Sequence, residues 1–253
     1  MRVLAAAIVL AASAVASADP SDLVARPLVL EARGVEASLS VEASLARGHL
    51  GEPLSLSPDV WVGVTSRVTV GVIHSNASVD RIDAGASFCV HELASQCDRA
   101  YHGTGVDVRW SALAGDLALA PRARLLVRDV DPFKPALTVG ALARWHRGRY
   151  AISTDPYLRL GLANTDRGNR HALVVPLWLA VQPTCRWLVA LHTGWDGDLA
   201  VIRDGWHVPM ALVVRARATS HVDLAVEAGF SSALGPQNNS NQRAAMISAS
   251  WRR

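Results

Sequence analysis

Apolar and polar residues alternate along most of this chain, in blocks of strand length. Val35–Leu45 reads VEASLSVEASL, with Val35, Ala37, Leu39, Val41, Ala43 and Leu45 on one face and Glu36, Ser38, Ser40, Glu42 and Ser44 on the other. A period of two with one apolar face predicts a β-strand. The stretch Asp59–Ser75 (DVWVGVTSRVTVGVIHS) alternates on both sides of Thr65-Ser66-Arg67. Folding it about Ser66 sets Val64 against Val68, Val62 against Val70 and Val60 against Val72. All six valines then share a face, as expected of a hairpin whose pattern and turn agree.

The pattern recurs in Gly105–Leu113, Leu117–Arg128, Pro135–Trp145, Tyr157–Ala163, Arg170–Gln182, Arg186–Trp195, His207–Ala218, His221–Phe230 and Arg243–Trp251. With the first run and the hairpin, this predicts twelve strands and no helix after the first eighteen residues. Turns centred on Thr184 and Ser220 repeat the hairpin arithmetic. They predict the pairs Val181 with Trp187, Leu177 with Leu191, Ala218 with Val222 and Val214 with Val226. The even-length turn Leu113–Asp116 flips apolar parity from Ala112 to Leu117, as it must. Tight connections (Thr65–Arg67, Leu113–Asp116, Pro183–Cys185, Thr219–His221) alternate with longer or turn-rich ones (Ala46–Ser57, Asn76–Thr104, Asp196–Trp206, Ser231–Gln242, and the DVDPFK and NTDRGN segments). His146–Pro156 is the exception, being of moderate length where a tight turn is due. Short-and-long alternation and strands of about 9–11 residues fit a membrane barrel with both chain ends on the periplasmic side. Pro176 and Pro209 oppose it, since a closed sheet has no edge for them; bulges would accommodate both.

The N-terminus sets the compartment. Arg2, the apolar run from Val3 to about Ala12, and Ala16-Ser17-Ala18 before Asp19 form a secretory signal with cleavage near Ala18. No later run reaches the roughly 20 apolar residues of a spanning helix. The longest, Leu173–Val181, contains Pro176, although half of the 253 residues are hydrophobic. Without Arg2 the chain carries 24 basic and 22 acidic residues, a net charge of +2, which gives no ground for nucleic acid as a partner.

The aromatic residues separate the two all-β classes that remain. On the apolar face Trp110, Trp145, Trp187 and Trp251 fall at the end of the tight turns, and Trp195 and Phe230 fall at the opposite end. Two interfacial girdles are the barrel pattern. A soluble sandwich would gather its rings in mid-strand as core.

With these features the chain resembles the outer-membrane β-barrels of Gram-negative bacteria. The element VWVGVTSRVTVGV is similar to one in porin-like barrels, and the likeness spans roughly Gly34–Trp251. The resemblance implies an all-β, transmembrane, antiparallel up-and-down barrel of about twelve strands. It divides the chain into a signal peptide (1–18), a periplasmic segment (19–33) and the barrel (34–251). It implies outer-membrane lipid and lipopolysaccharide as surroundings, the barrel-assembly machinery as a partner, and no cofactor. Such barrels end in an aromatic residue; here Trp251 is followed by Arg252 and Arg253.

The polar face carries the candidate chemistry. In a barrel it lines the lumen with Arg109, Arg122, Arg124, Arg128, Arg144, Arg159, Arg186, Arg215 and Arg217, against Glu36, Glu42, Asp107, Asp223 and Glu227. Two readings stand. One is a cationic pore that passes small anionic solutes; the other is a network of Arg–carboxylate pairs that plugs and stiffens a narrow barrel. The small residues opposite the hairpin valines (Gly63, Thr69, Gly71, beside Trp61) leave room in the lumen for the longest loop. That loop carries Cys89 and Cys97, either a disulfide, as an oxidising compartment favours, or two free thiols. His91 and His102 beside them match no standard metal spacing, and Cys185 has no assigned role. Asp129, Asp131, Asp166, Asp196, Asp198, Asp204, His171 and His207 gather at the rim. They are either solvated charges or an acid/base site, and no nucleophile elbow accompanies them.

Overall fold

The computed structural model describes residues 23–48, 50–51, 54–75, 88–91, 100–236 and 243–253. The expected signal segment, Cys97 and most of the longest loop lie outside the described residues. The strands are β1 (Val35–Ser44), β2 (Leu54–Thr65), β3 (Val68–Ile73), β4 (Phe88–His91), β5 (Thr104–Trp110), β6 (Leu117–Val130) and β7 (Phe133–Arg147). They continue as β8 (Tyr150–Thr154), β9 (Tyr157–Gly161), β10 (Ala172–Thr184), β11 (Trp187–Asp198), β12 (Trp206–Arg217), β13 (Val222–Leu234) and β14 (Arg243–Arg252). All pairings are antiparallel. Successive strands pair except at β4 and between β8 and β9, and β1 pairs with both β2 and β14, which closes the ring. β4 pairs with β2 beyond the reach of β3. β8 and β9 both lie between β7 and β10. The described residues therefore form a closed twelve-stranded antiparallel barrel.

The faces decide between barrel and sandwich. Leu39, Val60, Val62, Val106, Val108, Leu125, Val139, Leu179, Leu212, Leu224, Val226 and Ile247 are all exposed on the outside of one closed sheet. Two packed sheets would bury them. Trp110, Trp145, Trp187 and Trp251 stand exposed near the end of the short turns. At the other end Phe230 is exposed and Trp195 is half-buried, its ring lying over Gly197. We call these ends the turn mouth and the loop mouth.

The observed register differs from the expected one in two places. In the opening hairpin Val60 pairs with Val72 and Val62 with Val70, but Val68 pairs with Thr65, not Val64. Ser66 and Arg67 alone turn the chain, and Val64 is the extra residue of a bulge. At Cys185–Arg186 the pairs are Val181 with Val189 and Leu179 with Leu191, two residues from those expected. A slip of two leaves every side chain on its face, so the apolar pattern does not detect it. The Ser220 turn is as expected: Val214 pairs with Val226, and Ala218 and Val222 are hydrogen-bonded.

The connection of moderate length expected at His146–Pro156 does not exist. β7 runs to Arg147, Gly148 and Arg149 turn the chain, and the seventh wall strand begins at Tyr150. Its two pieces, β8 and β9, keep one register against β10, from Leu177 opposite Thr154 to Val174 opposite Tyr157. The ladder is interrupted where Asp155-Pro156 faces Val175-Pro176, because neither proline has an N–H to donate. Pro209 marks a bulge instead, between Val208 opposite Leu234 and Met210 opposite Phe230. With Gly148–Arg149 in place, every connection at the turn mouth is short.

The lead-in expected on the periplasmic side lies, in residues 23–33, inside the turn mouth. Leu23 and Val24 are buried against Ala151, Leu188, Ala190 and Val213 of the inner wall, with Trp178 and Ala180 beside them. Pro27 and the absence of strand pairing keep this segment apart from the wall itself.

Candidate functional site: the barrel lumen

The inner face of a closed barrel gathers alternate residues from every strand, and here it gathers charge. Asp107 of β5 is fully buried. It accepts from Arg122 Nε (2.6 Å) and Nη2 (3.0 Å), Arg109 Nε (2.7 Å) and Trp61 Nε1 (2.9 Å). The Arg109 guanidinium also lies 4.8 Å from the centroid of the Trp61 ring. Trp61 in turn lies flat over Gly71, its partner across the β2–β3 ladder: a Cβ on Gly71 would come within 2.1 Å of the indole. The hairpin's small residues therefore make room for Trp61 and, at Gly63, for the N-terminal segment. A Cβ on Gly63 would meet the Glu31 carbonyl oxygen at 1.8 Å.

From Asp107 the network continues along the inner wall. Arg122 Nη1 donates to Asp155 Oδ2 (2.5 Å), and Arg124 Nη2 lies 3.6 Å from the same oxygen. Asp155 comes from the interrupted stretch between β8 and β9, so the break in the ladder places a carboxylate beside the arginines of β6, two wall strands away. Arg124 donates through Nε to Thr138 Oγ1 (3.0 Å) and stacks over the Tyr157 ring at 4.4 Å. Its Nη2 is buried with no hydrogen-bond partner. Arg128 reaches Asn169 Oδ1 (3.1 Å), and Arg159 Nε reaches the Arg170 carbonyl (3.4 Å). On the other side His192 Nδ1 lies 2.5 Å from Glu227 Oε1 while its ring stacks on Trp178 at 4.6 Å. Near the turn mouth Asp223 pairs with Arg26 of the N-terminal segment, whose carbonyl accepts from Arg144. Arg252 Nε donates to Glu36 at 2.9 Å. Glu42 is buried, and Arg215 and Arg217 are half-buried on the inner face of β12.

Of the residues expected in the lumen, Arg186 is misplaced. β10 ends at Thr184, so Arg186 occupies the exposed turn before β11. Residues missed by the sequence reading are Arg26, Asp59, Asp155, Trp178, Gln182, His192 and Arg252. Asp59, Trp178, Gln182, His192 and Arg252 lie on inward parity and were legible as such. Asp155 was hidden by the Asp-Pro pair, which reads as a turn, and Arg26 by lying outside any strand. These changes narrow the basic excess of the inner face without reversing it.

The rim residues remain dispersed. Asp129 pairs with Lys134 (3.1 Å) and lies 4.0 Å from His102; Asp196 lies 3.9 Å from His207; Asp198 pairs with Arg170 (2.8 Å). Asp198 holds the Arg170 guanidinium above its ordinary pKa. Among the described residues no three His, Cys, Asp or Glu side chains form a metal-binding group. Cys89 lies in β4, which is held to β2. Its expected partner Cys97 is outside the described residues. Cys185 is a free thiol in the β10–β11 turn.

No protein-family model matches the sequence, and no curated protein matches it either. Solved structures do. The NanC porin is 9% identical, with a TM-score of 0.58 over 86% of this chain and 98% of that one. The KdgM porin in complex with disordered oligogalacturonate is 6% identical, with a TM-score of 0.55 over the same shares. An outer membrane channel from Pseudomonas putida F1 is 11% identical, with a TM-score of 0.50 over 94% of this chain and all of that one. At such identities the likeness is one of fold, and the fold of this chain is that of the outer-membrane porins.

Proposed function

We propose that the protein is a narrow porin-like channel of the Gram-negative outer membrane with a preference for small anionic solutes. In this reading the barrel-assembly machinery inserts it among lipid and lipopolysaccharide. The observation that carries the proposal is the arginine-rich inner face. Arg109, Arg122, Arg124, Arg128, Arg144, Arg159, Arg215 and Arg217 outnumber the inner carboxylates, and fixed lumen charge sets ion selectivity. The buried Nη2 of Arg124 makes no hydrogen bond, its carboxylate neighbour Asp155 standing 3.6 Å away, and is a donor to which an anionic oxygen is suited. The KdgM porin of similar fold is seen with oligogalacturonate, an acidic saccharide. Carboxylate-bearing saccharides are a solute class that suits the arginines of this lumen. Planar-bilayer recording under a salt gradient tests the proposal: a reversal potential on the anion side is expected, and Arg124→Gln should move it toward zero. A protein that conducts nothing in any state would sink it.

A second reading, a structural barrel with a sealed lumen, is favoured by the Asp107–Arg122–Asp155 network and by residues 23–33 in the turn mouth. It expects no conductance under any treatment. We further propose that Cys89 and Cys97 form a disulfide within the longest loop; a mass increase of about 2 Da on reduction would support it. A hydrolase at the rim would require an activity that disappears in Asp196→Ala or His207→Ala.

A further inference from the structure

We propose that residues 23–33 are a displaceable plug of the turn mouth, and that solute crosses the channel more freely when this segment detaches. The inference rests on the channel reading above.

The segment fits a site prepared for it. The inner wall is polar and charged around Asp107, Asp155 and Glu227, yet at Ala151, Leu188, Ala190 and Val213 it becomes apolar. Leu23 and Val24 cover that patch. Their two backbone N–H groups both donate to one acceptor, Gln182 Oε1, at 3.0 and 3.1 Å. Gln182 is fully buried, so its side chain points at the segment and not at bulk solvent. Across the mouth, the Leu30 N–H donates to Thr69 Oγ1 (2.8 Å), and the Arg33 N–H donates to the Gly63 carbonyl (2.7 Å). Arg26 meets Asp223, and Arg144 reaches the Arg26 carbonyl. The segment thus touches β2, β3, β7, β10 and β13, which spans the mouth from one wall to another.

The same contacts make it separable. A wall strand is held by a ladder on both sides, whereas residues 23–30 take part in no strand pairing. They are held by a few side-chain anchors that can release while the closed ring stays intact. Segments with few backbone partners are the ones that open below the threshold of global unfolding.

The test uses the full mature chain and two variants. Leu23→Asp with Val24→Asp places two carboxylates on the apolar patch, and Gln182→Ala removes the shared acceptor. Heat-modifiable gel migration establishes that each barrel is folded. Release is read by proteinase K trimming of the N-terminus, followed by mass analysis. Conduction is read in planar bilayers. The expected result is that wild type resists trimming, the variants are trimmed, and unitary conductance of the trimmed barrels rises about twofold or more. Trimmed barrels that conduct no more than a conducting wild type overturn the plug while the channel stands. Trimmed barrels that conduct nothing, like wild type, overturn the channel and the plug together.

Discussion

Asp107→Asn should be among the most destabilising isosteric changes in this barrel. The carboxylate is wholly buried and accepts four hydrogen bonds from three donors: two from Arg122, one from Arg109 and one from Trp61. Asparagine keeps the volume but loses the charge and one acceptor oxygen, and it turns an amide N–H₂ toward a guanidinium. Breaking a buried ion pair costs about 3–5 kcal/mol, because the surviving charge is left uncompensated. Arg122 retains Asp155, and Arg109 retains its place beside Trp61, so the expected loss is about 3 kcal/mol, the low end of that range. The assay is reversible urea unfolding in detergent micelles, followed by tryptophan fluorescence, with gel migration as a second probe. Arg122→Gln should cost a similar amount. The double substitution should cost less than the two single losses combined, with a coupling of about 1–3 kcal/mol. A single-variant loss under about 0.5 kcal/mol, the range of an ordinary surface change, or strict additivity in the double variant, would refute the reasoning.

Two further predictions concern the wall and its orientation. Leu212 sits in the middle of β12, is 54% exposed on the outer face and pairs with Leu191 and Ala228. Leu212→Arg should cost about 2–4 kcal/mol for folding into lipid vesicles; a loss near zero would mean that this face does not meet hydrocarbon. Cys185 lies in a turn at the turn mouth. A membrane-impermeant maleimide should therefore label it in outer-membrane vesicles turned inside out, and not in intact cells. Labelling in intact cells would reverse the orientation.

The wall was legible in the sequence because one side of every strand meets lipid. Period-two alternation therefore survives in β1, β2, β6, β7, β12 and β13, and the aromatic residues sort to their ends. Three things escaped. The two-residue slip beside Thr184 preserves parity, so no hydrophobic pattern reports it. Asp155-Pro156 has the composition of a turn, and only the continuity of outward positions from Tyr150 and Ile152 to Leu158 and Leu162 contradicts that reading. Residues 23–33 follow no period at all, because they meet a concave wall whose chemistry changes from residue to residue. Of the lumen, membership was largely readable from parity. Which arginine meets which carboxylate depends on register and barrel diameter, which alternation does not carry.

The pairing of β1 with β14 has a consequence for synthesis and damage. Glu36 lies opposite Arg252, and the ladder runs from there to Ser44 opposite Ala244. The sheet therefore has no free edge only once its final ten-residue strand is in place. A chain shortened before Arg243 would not make a smaller barrel. It would expose two rows of unpaired backbone groups, on β1 and on β13, in a medium that offers them no water. Such a product is expected to pair with copies of itself or to be degraded, so completion of the last strand acts as a built-in check on chain integrity.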